Sequence, residues 1–174
     1  SRDWSSDVCS SDRGVAHVEA ATDAGCVFGF LYAQAEDYFW QIEDSYVRAL
    51  GRAAEIYGES ELPADLVNRA LEIPRLSEEE YRNATPEAKA LFDAAAGGIN
   101  HYLDTHPEVQ PRLLKRFQPW HVPAFRRFML YQAFIYRKSG LSPREILAAV
   151  TETGPDGERK VGMTEGLRRD RKST

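Results

Sequence analysis

The stretch that decides the fold runs from Phe28 to Ala53 and reads FGFLYAQAEDYFWQIEDSYVRALGRA. Its apolar residues recur at steps of three or four residues, which places them on one side of a helix. The segment therefore predicts one long amphipathic helix, with Gly58 as its stop signal. The residues of this stripe are Phe28, Leu31, Ala35, Phe39, Ile42, Tyr46, Leu50 and Ala53.

Local signals divide the rest of the chain. Ser77 with Glu80 and Ser142 with Glu145 match the capping box, in which a hydroxyl and an acid satisfy backbone N–H groups at a helix start. Thr85 before a proline is another helix start. The remaining predicted elements are a strand at 14–20, helices at 63–71, 85–105, 124–136 and 142–150, and a proline-punctuated crossing at 107–123.

These elements define a mainly α fold with a short N-terminal strand. The helix predicted at 124–136 is apolar on most sides, so it needs more covering than this chain supplies. This uncovered apolar surface indicates a missing partner or a missing continuation of the polypeptide.

Composition excludes two classes of partner. The net charge is −5, and no basic stripe interleaved with aromatic residues suggests binding to nucleic acid. No apolar run is long enough to span a membrane. We therefore expect neither nucleic acid nor membrane as a partner.

Both ends of the chain resemble translated sequencing-library adapter. Val8–Asp12 can be encoded as GTG TGC TCT TCC GAT. The reverse complement of this stretch, extended by one base, encodes Asp-Arg-Lys-Ser-Thr, which is the sequence of residues 170–174. We expect 1–12 and 167–174 to be artefactual tails, and 13–166 to be an incomplete native region.

Catalytic and metal-binding motifs are scarce. The four histidines form neither Glu-x-x-His nor His-Glu-x-x-His, so a metal-binding helical bundle has little support. Two carboxylate pairs, 36–37 and 43–44, lie on the long helix, and Arg48 follows Asp44 by four residues, as in a solvated or ion-paired face. There is no Gly-x-Ser-x-Gly elbow. From the residues alone, the chain is a helical region without an evident nucleophile.

Five elements, in order and at similar spacing, resemble the α chains of the penicillin-acylase family. The element at 29–43 is similar to the family's Gly-x-x-Tyr-Ala-Gln-Ala-x-Asp … Gln-x-Glu helix. Ala96–Asn100 resembles its Ala-x-Gly-x-Asn helix, and Trp120–Pro123 its Trp-x-Pro region. The other two elements are 14–18, where Ala16 replaces the usual proline, and 51–58.

The resemblance implies the α-subunit portion of an αββα N-terminal-nucleophile hydrolase. In this family a precursor cleaves itself, and the new N-terminal serine of the β chain attacks an amide carbonyl with its own amino group as base. Oxyanion donors, which also lie in the β chain, stabilise the developing charge. The resemblance thus predicts an amidase for N-acyl compounds, such as β-lactam side chains or N-acyl homoserine lactones. Its nucleophile would follow Gly166 on a β subunit, and this chain alone would be inactive.

The resemblance also implies roles for individual residues. Phe134 and Arg137 fall at substrate-binding positions of the acyl pocket, although Phe134 could equally be a core residue, and Lys138 replaces an aromatic residue there. Glu145 falls near a calcium-ligating glutamate, with the capping box as its alternative role. No cofactor for catalysis is implied, only a possible structural calcium. Asp37 and Gln41 match family positions, where they would tie helices together.

The family is normally exported, which implies a periplasmic or secreted protein. Two other readings stay open at this stage. The chain could be a non-enzymatic helical interaction domain that binds a partner through its apolar faces, or a metal-binding helical bundle.

Overall fold

The computed structural model describes residues 7–9 and 17–151, with side chains from 17 to 149. Helices dominate this part of the chain, which confirms the mainly α class, and none of them is long and apolar enough to cross a membrane. The elements are β1 (Asp7–Cys9), β2 (His17–Glu19), α1 (Asp23–Ala49), α2 (Ala54–Tyr57), a 3-10 turn (Glu59–Glu61), α3 (Leu62–Ala70), α4 (Ile73–Asn83), α5 (Pro86–Thr105), α6 (His121–Tyr131), a π-helical turn (Gln132–Tyr136), α7 (Arg137–Ser139) and α8 (Pro143–Thr151).

The two strands form an antiparallel pair in which Val8 lies opposite Val18. The strand predicted at 14–20 is confirmed for 17–19, and residues 14–16 lie outside the described residues. Strand β1 falls within the predicted N-terminal tail, whose artefactual origin stays a prediction. The predicted C-terminal tail lies outside the described residues.

Helix α1 carries the predicted stripe, whose members are all buried or half-buried against the core. The helix begins after Thr22, whose Oγ accepts a hydrogen bond from the Gly25 N–H at 3.1 Å. A non-helical residue, Tyr38, interrupts it with φ −144° and ψ 39°. The helix ends at Ala49, before the stripe does, because Gly51 takes a φ of +64° and turns the chain.

Helix α5 packs closely on α1 through a glycine. A Cβ atom at Gly98 would lie 2.4 Å from the carbonyl oxygen of Phe28 and 3.1 Å from the backbone nitrogen of Tyr32. Only a hydrogen fits at that position, so the two helix backbones approach each other there. The Ala-x-Gly-x-Asn element thus has a packing reason for its glycine.

A buried aspartate organises the turn after α1. The Asp65 carboxylate accepts hydrogen bonds from the backbone N–H groups of Ala53 at 3.0 Å and Ala54 at 2.7 Å. The amide of Asn68 donates to the carbonyl of Arg48 at 2.7 Å. Helix α3 therefore satisfies polar backbone groups at the end of α1 and at the start of α2.

The capping box predicted at Ser77 and Glu80 is wrong. Helix α4 already begins at Ile73, and Ser77 lies inside it, buried, with its hydroxyl donating to the Ile73 carbonyl at 2.7 Å. Glu80 instead forms ion pairs with Arg126 and Arg127, which join α4 to α6.

The predicted crossing between α5 and α6 is ordered by a buried carboxylate. Glu43 is only 1% exposed and accepts hydrogen bonds from the N–H groups of Arg112, Leu113 and Leu114, at 3.1, 2.8 and 3.0 Å. The prediction that Glu43 belongs to a solvated or ion-paired face is therefore wrong, because the crossing covers it.

Three other polar residues of α1 differ in whether their side chains are paired. Asp44 pairs with Arg48 at 2.9 Å, as their spacing predicts. Asp37 and Gln41 are exposed, and their side chains make no hydrogen bond within the described residues. Their predicted role in tying helices together stays a prediction, and within the described residues Glu43 joins α1 to the crossing.

Candidate substrate-binding surface

Helix α6 passes without a break into the π-helical turn Gln132–Tyr136. The N–H of Arg137 donates to the carbonyl of Gln132, five residues earlier, where an α-helix would bond four residues back. Such single π turns occur often at functional sites. The short helix α7 follows and ends at Ser139, before Gly140, which has a φ of +66°.

Phe134, a predicted substrate-binding residue, projects from this turn with 59% of its surface exposed. Met129 and Leu130, one turn earlier, are each about half exposed, at 50% and 49%. Within the described residues Phe134 is therefore not a core residue. We call Met129, Leu130, Phe134 and Arg137 the π-segment surface.

Lys138 supports the exposed ring of Phe134. Its Nζ lies 5.0 Å from the ring centroid, within the range of a cation–π interaction. Sequence reasoning treated Lys138 only as a replacement for an aromatic residue and missed this contact. The four-residue spacing between Phe134 and Lys138 was the signal that could have found it.

Arg137, the second predicted substrate-binding residue, lies three positions after Phe134 and is exposed. Its guanidinium makes no ion pair within the described residues. Phe134 and Arg137 therefore both lie exposed on one short segment of the chain. Their contact with a substrate stays a prediction.

Glu145 forms a complete capping box at the start of α8. Its Oε2 accepts hydrogen bonds from the N–H and the Oγ of Ser142, both at 2.7 Å, and the Glu145 N–H donates to Ser142 Oγ at 3.4 Å. The Ser142 hydroxyl and N–H hold the pKa of Glu145 below its usual value. This carboxylate is engaged by its own helix.

The described residues do not by themselves fit a calcium ion at Glu145. No group of three or more His, Cys, Asp or Glu side chains in the described part of the chain is arranged to hold a metal. A calcium ion at Glu145 would need oxygen ligands from elsewhere. The metal role of Glu145 stays a prediction.

His121 is buried at the start of α6, with its ring perpendicular to that of Trp120 and the ring centroids 4.4 Å apart. Burial lowers its pKa to about 4, and the charge of Arg52 acts in the same direction. Its Nδ1 accepts a hydrogen bond from the Gln118 N–H at 3.3 Å, so the neutral ring carries its proton on Nε2. His121 therefore stabilises the fold as a neutral ring at neutral pH.

Comparison with known proteins identifies the relatives of this chain. A sequence model of the penicillin amidase family matches residues 6–161. The chain is 27% identical to the penicillin acylase 2 proenzyme of Pseudomonas sp. (strain SE83) in an alignment of 132 residues, which covers 72% of this chain and 17% of that protein. It is 31% identical to the acyl-homoserine lactone acylase QuiP of Pseudomonas aeruginosa over 98 residues, 56% of this chain and 12% of that one. The chain spans less than a fifth of the length of these relatives.

Among solved structures, a thermostable penicillin G acylase from Alcaligenes faecalis has the same fold. The TM-score is 0.67 at 20% identity, and the match covers 87% of this chain and 86% of the other. The chain thus has the fold of the matched chain of that penicillin G acylase. With the family match over most of its length, this chain belongs to the penicillin amidase family.

Proposed function

We propose that this chain is the α-subunit region of an amidohydrolase that cleaves the amide bond of N-acyl compounds. The observation that carries the proposal is the exposed Phe134 on the π-helical turn, in a chain that matches the penicillin amidase family. An exposed ring beside apolar neighbours suits an acyl group, because such groups bind in mostly apolar clefts with few polar contacts.

The proposed division of labour leaves the bond-breaking step to the β subunit. An N-terminal serine there attacks the amide carbonyl, its α-amino group takes the hydroxyl proton, and oxyanion donors stabilise the tetrahedral intermediate. The present chain supplies one wall of the acyl cleft. Phe134 contacts the acyl group, Lys138 holds the ring in place, and Arg137 donates hydrogen bonds to an acceptor on the substrate or on the β subunit.

Two substrate classes fit this wall. The relatives include a penicillin acylase and acyl-homoserine lactone acylases, so we propose β-lactam side chains and N-acyl homoserine lactones as the candidates. Lys138 lies over Phe134 and adds a positive charge near the ring. This charge favours acyl groups that carry an electronegative substituent near the cleft mouth.

The remaining proposals follow from the family. The chain and its β subunit arise from one precursor that cleaves itself, and the protein is exported to the periplasm or beyond. A structural calcium at Glu145 would share its ligands with residues outside the described part. Neither nucleic acid nor membrane is proposed as a partner.

The competing proposal is a helical interaction domain without catalysis. Exposed apolar side chains on other elements favour this proposal, since they too could contact a partner. These side chains are Phe30, Tyr38, Trp40, Leu62 and Leu66. A β subunit would cover such residues as well. Only enzymatic activity of the assembled protein separates the two proposals.

The test uses the whole precursor, produced so that α and β chains assemble. Hydrolysis of N-phenylacetyl and N-octanoyl amides would be measured for wild type, Phe134→Ala and the matched control Phe30→Ala, another half-exposed phenylalanine on α1. We expect Phe134→Ala to raise KM about tenfold for the better substrate, since removal of an aromatic contact loses about 1–2 kcal/mol. Equal KM values for Phe134→Ala and Phe30→Ala would refute the role of Phe134. Absence of hydrolysis by the assembled wild type would refute the proposed function.

A further inference from the structure

A cavity of about 520 Å³ lies between the end of α1, helix α3 and the crossing that precedes α6. Its volume is in the range of small-molecule sites. No residue of the π-segment surface lines it, so it is separate from the proposed acyl site. Its apolar lining consists of Leu50, Pro74, Leu113, Leu114 and Trp120.

None of the lining residues is acidic. Four cationic side chains surround the apolar lining: Arg52, Arg69, Lys115 and Arg116. They come from three separate parts of the chain, and the protein as a whole carries a net charge of −5. Gathering like charges at one cavity is unfavourable unless something offsets their repulsion. His121 also lines the cavity, and its pKa is lowered mainly by burial and further by the charge of Arg52.

Two of these cations already have carboxylate partners outside the cavity. Arg52 forms a bidentate pair with Glu55, with both contacts at 2.7 Å, and Arg116 pairs with Asp104 at 2.8 Å. Their charges are therefore partly neutralised. The hydrogen bond from Arg52 lowers the pKa of Glu55, and the charge of Arg69 also helps to lower it. The selectivity of the cavity therefore depends on Lys115 and on the terminal nitrogens of Arg69.

Arg69 and Lys115 keep donors available. Arg69 gives only its Nε, to the carbonyl of Gly51 at 3.1 Å. In the described part of the chain, its terminal nitrogens and the Lys115 ammonium have no acceptor. A carboxylate is the group that such donors hold best, through charge-assisted hydrogen bonds.

We propose that this cavity binds a small organic carboxylate with an aromatic or branched aliphatic body. The carboxylate contacts Lys115 and Arg69, and the body lies against Trp120 and the leucines of the lining. The residues that line this cavity belong to the present chain, and none of them is part of the π-segment surface.

The probe pair is 2-naphthoate and its neutral analogue 2-naphthamide, titrated into the ¹⁵N-labelled 174-residue chain. The readout is the indole N–H resonance of Trp120, assigned by its loss in Trp120→Phe. We expect 2-naphthoate to shift this resonance with a Kd at least tenfold below that of 2-naphthamide. Equal affinities, or shifts confined to Trp40, would overturn the proposal.

Lys115→Gln tests the charge with little risk to folding, since Lys115 is exposed. We expect it to weaken 2-naphthoate at least fivefold and to leave 2-naphthamide unchanged. The matched control, Arg82→Gln, removes one exposed positive charge on α4 away from the cavity and should change neither affinity. An unchanged 2-naphthoate affinity in Lys115→Gln would also overturn the proposal.

Discussion

The side-chain amide of Asn100 exchanges two hydrogen bonds with the backbone of Phe117. Its Nδ2 donates to the Phe117 carbonyl and its Oδ1 accepts from the Phe117 N–H, each at 2.8 Å. Both residues are buried, so these backbone groups have little access to water. Asn100 thereby fixes the end of the crossing on α5, just before the helix that leads to the π-segment surface.

Replacement of Asn100 by alanine should be among the most damaging polar changes in the chain. It leaves a buried N–H and a buried C=O without partners, which costs about 3 kcal/mol of the free energy of unfolding. Urea denaturation followed by circular dichroism measures the loss. Asn83→Ala, at the exposed end of α4, is the control and should change stability by less than about 0.5 kcal/mol. Similar losses for the two variants would contradict the pairing.

Adjacent glycines of α5 should respond in opposite ways to alanine. At Gly98 the new Cβ would meet the Phe28 carbonyl oxygen at 2.4 Å, so Gly98→Ala should destabilise by more than about 2 kcal/mol. At Gly97 it would lie 3.4 Å from the Phe28 ring, which is an ordinary van der Waals contact, so Gly97→Ala should stabilise the chain by about 1 kcal/mol through its higher helix propensity. Thermal unfolding of both variants is the measurement. If Gly97→Ala lost as much stability as Gly98→Ala, that result would refute the close approach of α1 and α5.

Glu43→Gln should loosen the crossing. The amide keeps one acceptor oxygen but presents an NH₂ group to N–H donors that now bind a carboxylate. We expect the free energy of unfolding to fall by about 2 kcal/mol and amide hydrogen exchange at Leu113 and Leu114 to become faster. Glu36→Gln is the matched control, because Glu36 is exposed on the same helix. Unaltered exchange at the two leucines would argue against the carboxylate as the anchor.

The buried His121 should make stability depend on pH. Its pKa falls from 6.5 to about 4 on folding, so the unfolded chain binds the extra proton between these values. Its stabilising effect is complete above about pH 6.5 and is lost as the pH falls towards 4. When the pH falls from 7.5 to 4.5, the free energy of unfolding of the wild type should decrease by about 2 kcal/mol more than that of His121→Gln. Parallel stability curves for the two proteins would show that His121 does not titrate in this way.

Local signals in the sequence predicted the helices well. The stripe of α1, the Thr85 cap and the Ser142–Glu145 box each depend on residues within one or two turns, and the structure has all three. The start of α4 was missed because Ile73 and Pro74 outweigh the hydroxyl of Ser77. A proline in the first turn is already an adequate helix start.

Contacts between distant segments could not be read from the chain. Glu43 lies 70 residues before Leu113, and no periodicity links a carboxylate on a helix to N–H groups in a later crossing. The π-helical turn differs from α-helix by a single hydrogen-bond shift, so an apolar run gives no sign of it. Phe134 and Arg137 were found only through the family resemblance. Their shared exposure depends on the turn itself.

The central claim, that this chain shapes an acyl cleft while the β subunit holds the reactive hydroxyl, is tested most directly by covalent labelling. The assembled protein would be treated with a sulfonyl fluoride that modifies activated serines, and the intact mass of each chain would be measured. We predict one adduct on the N-terminal serine of the β chain, loss of amide hydrolysis in proportion to it, and no adduct on the present chain. An activity-linked adduct on any residue of these 174 would contradict the account.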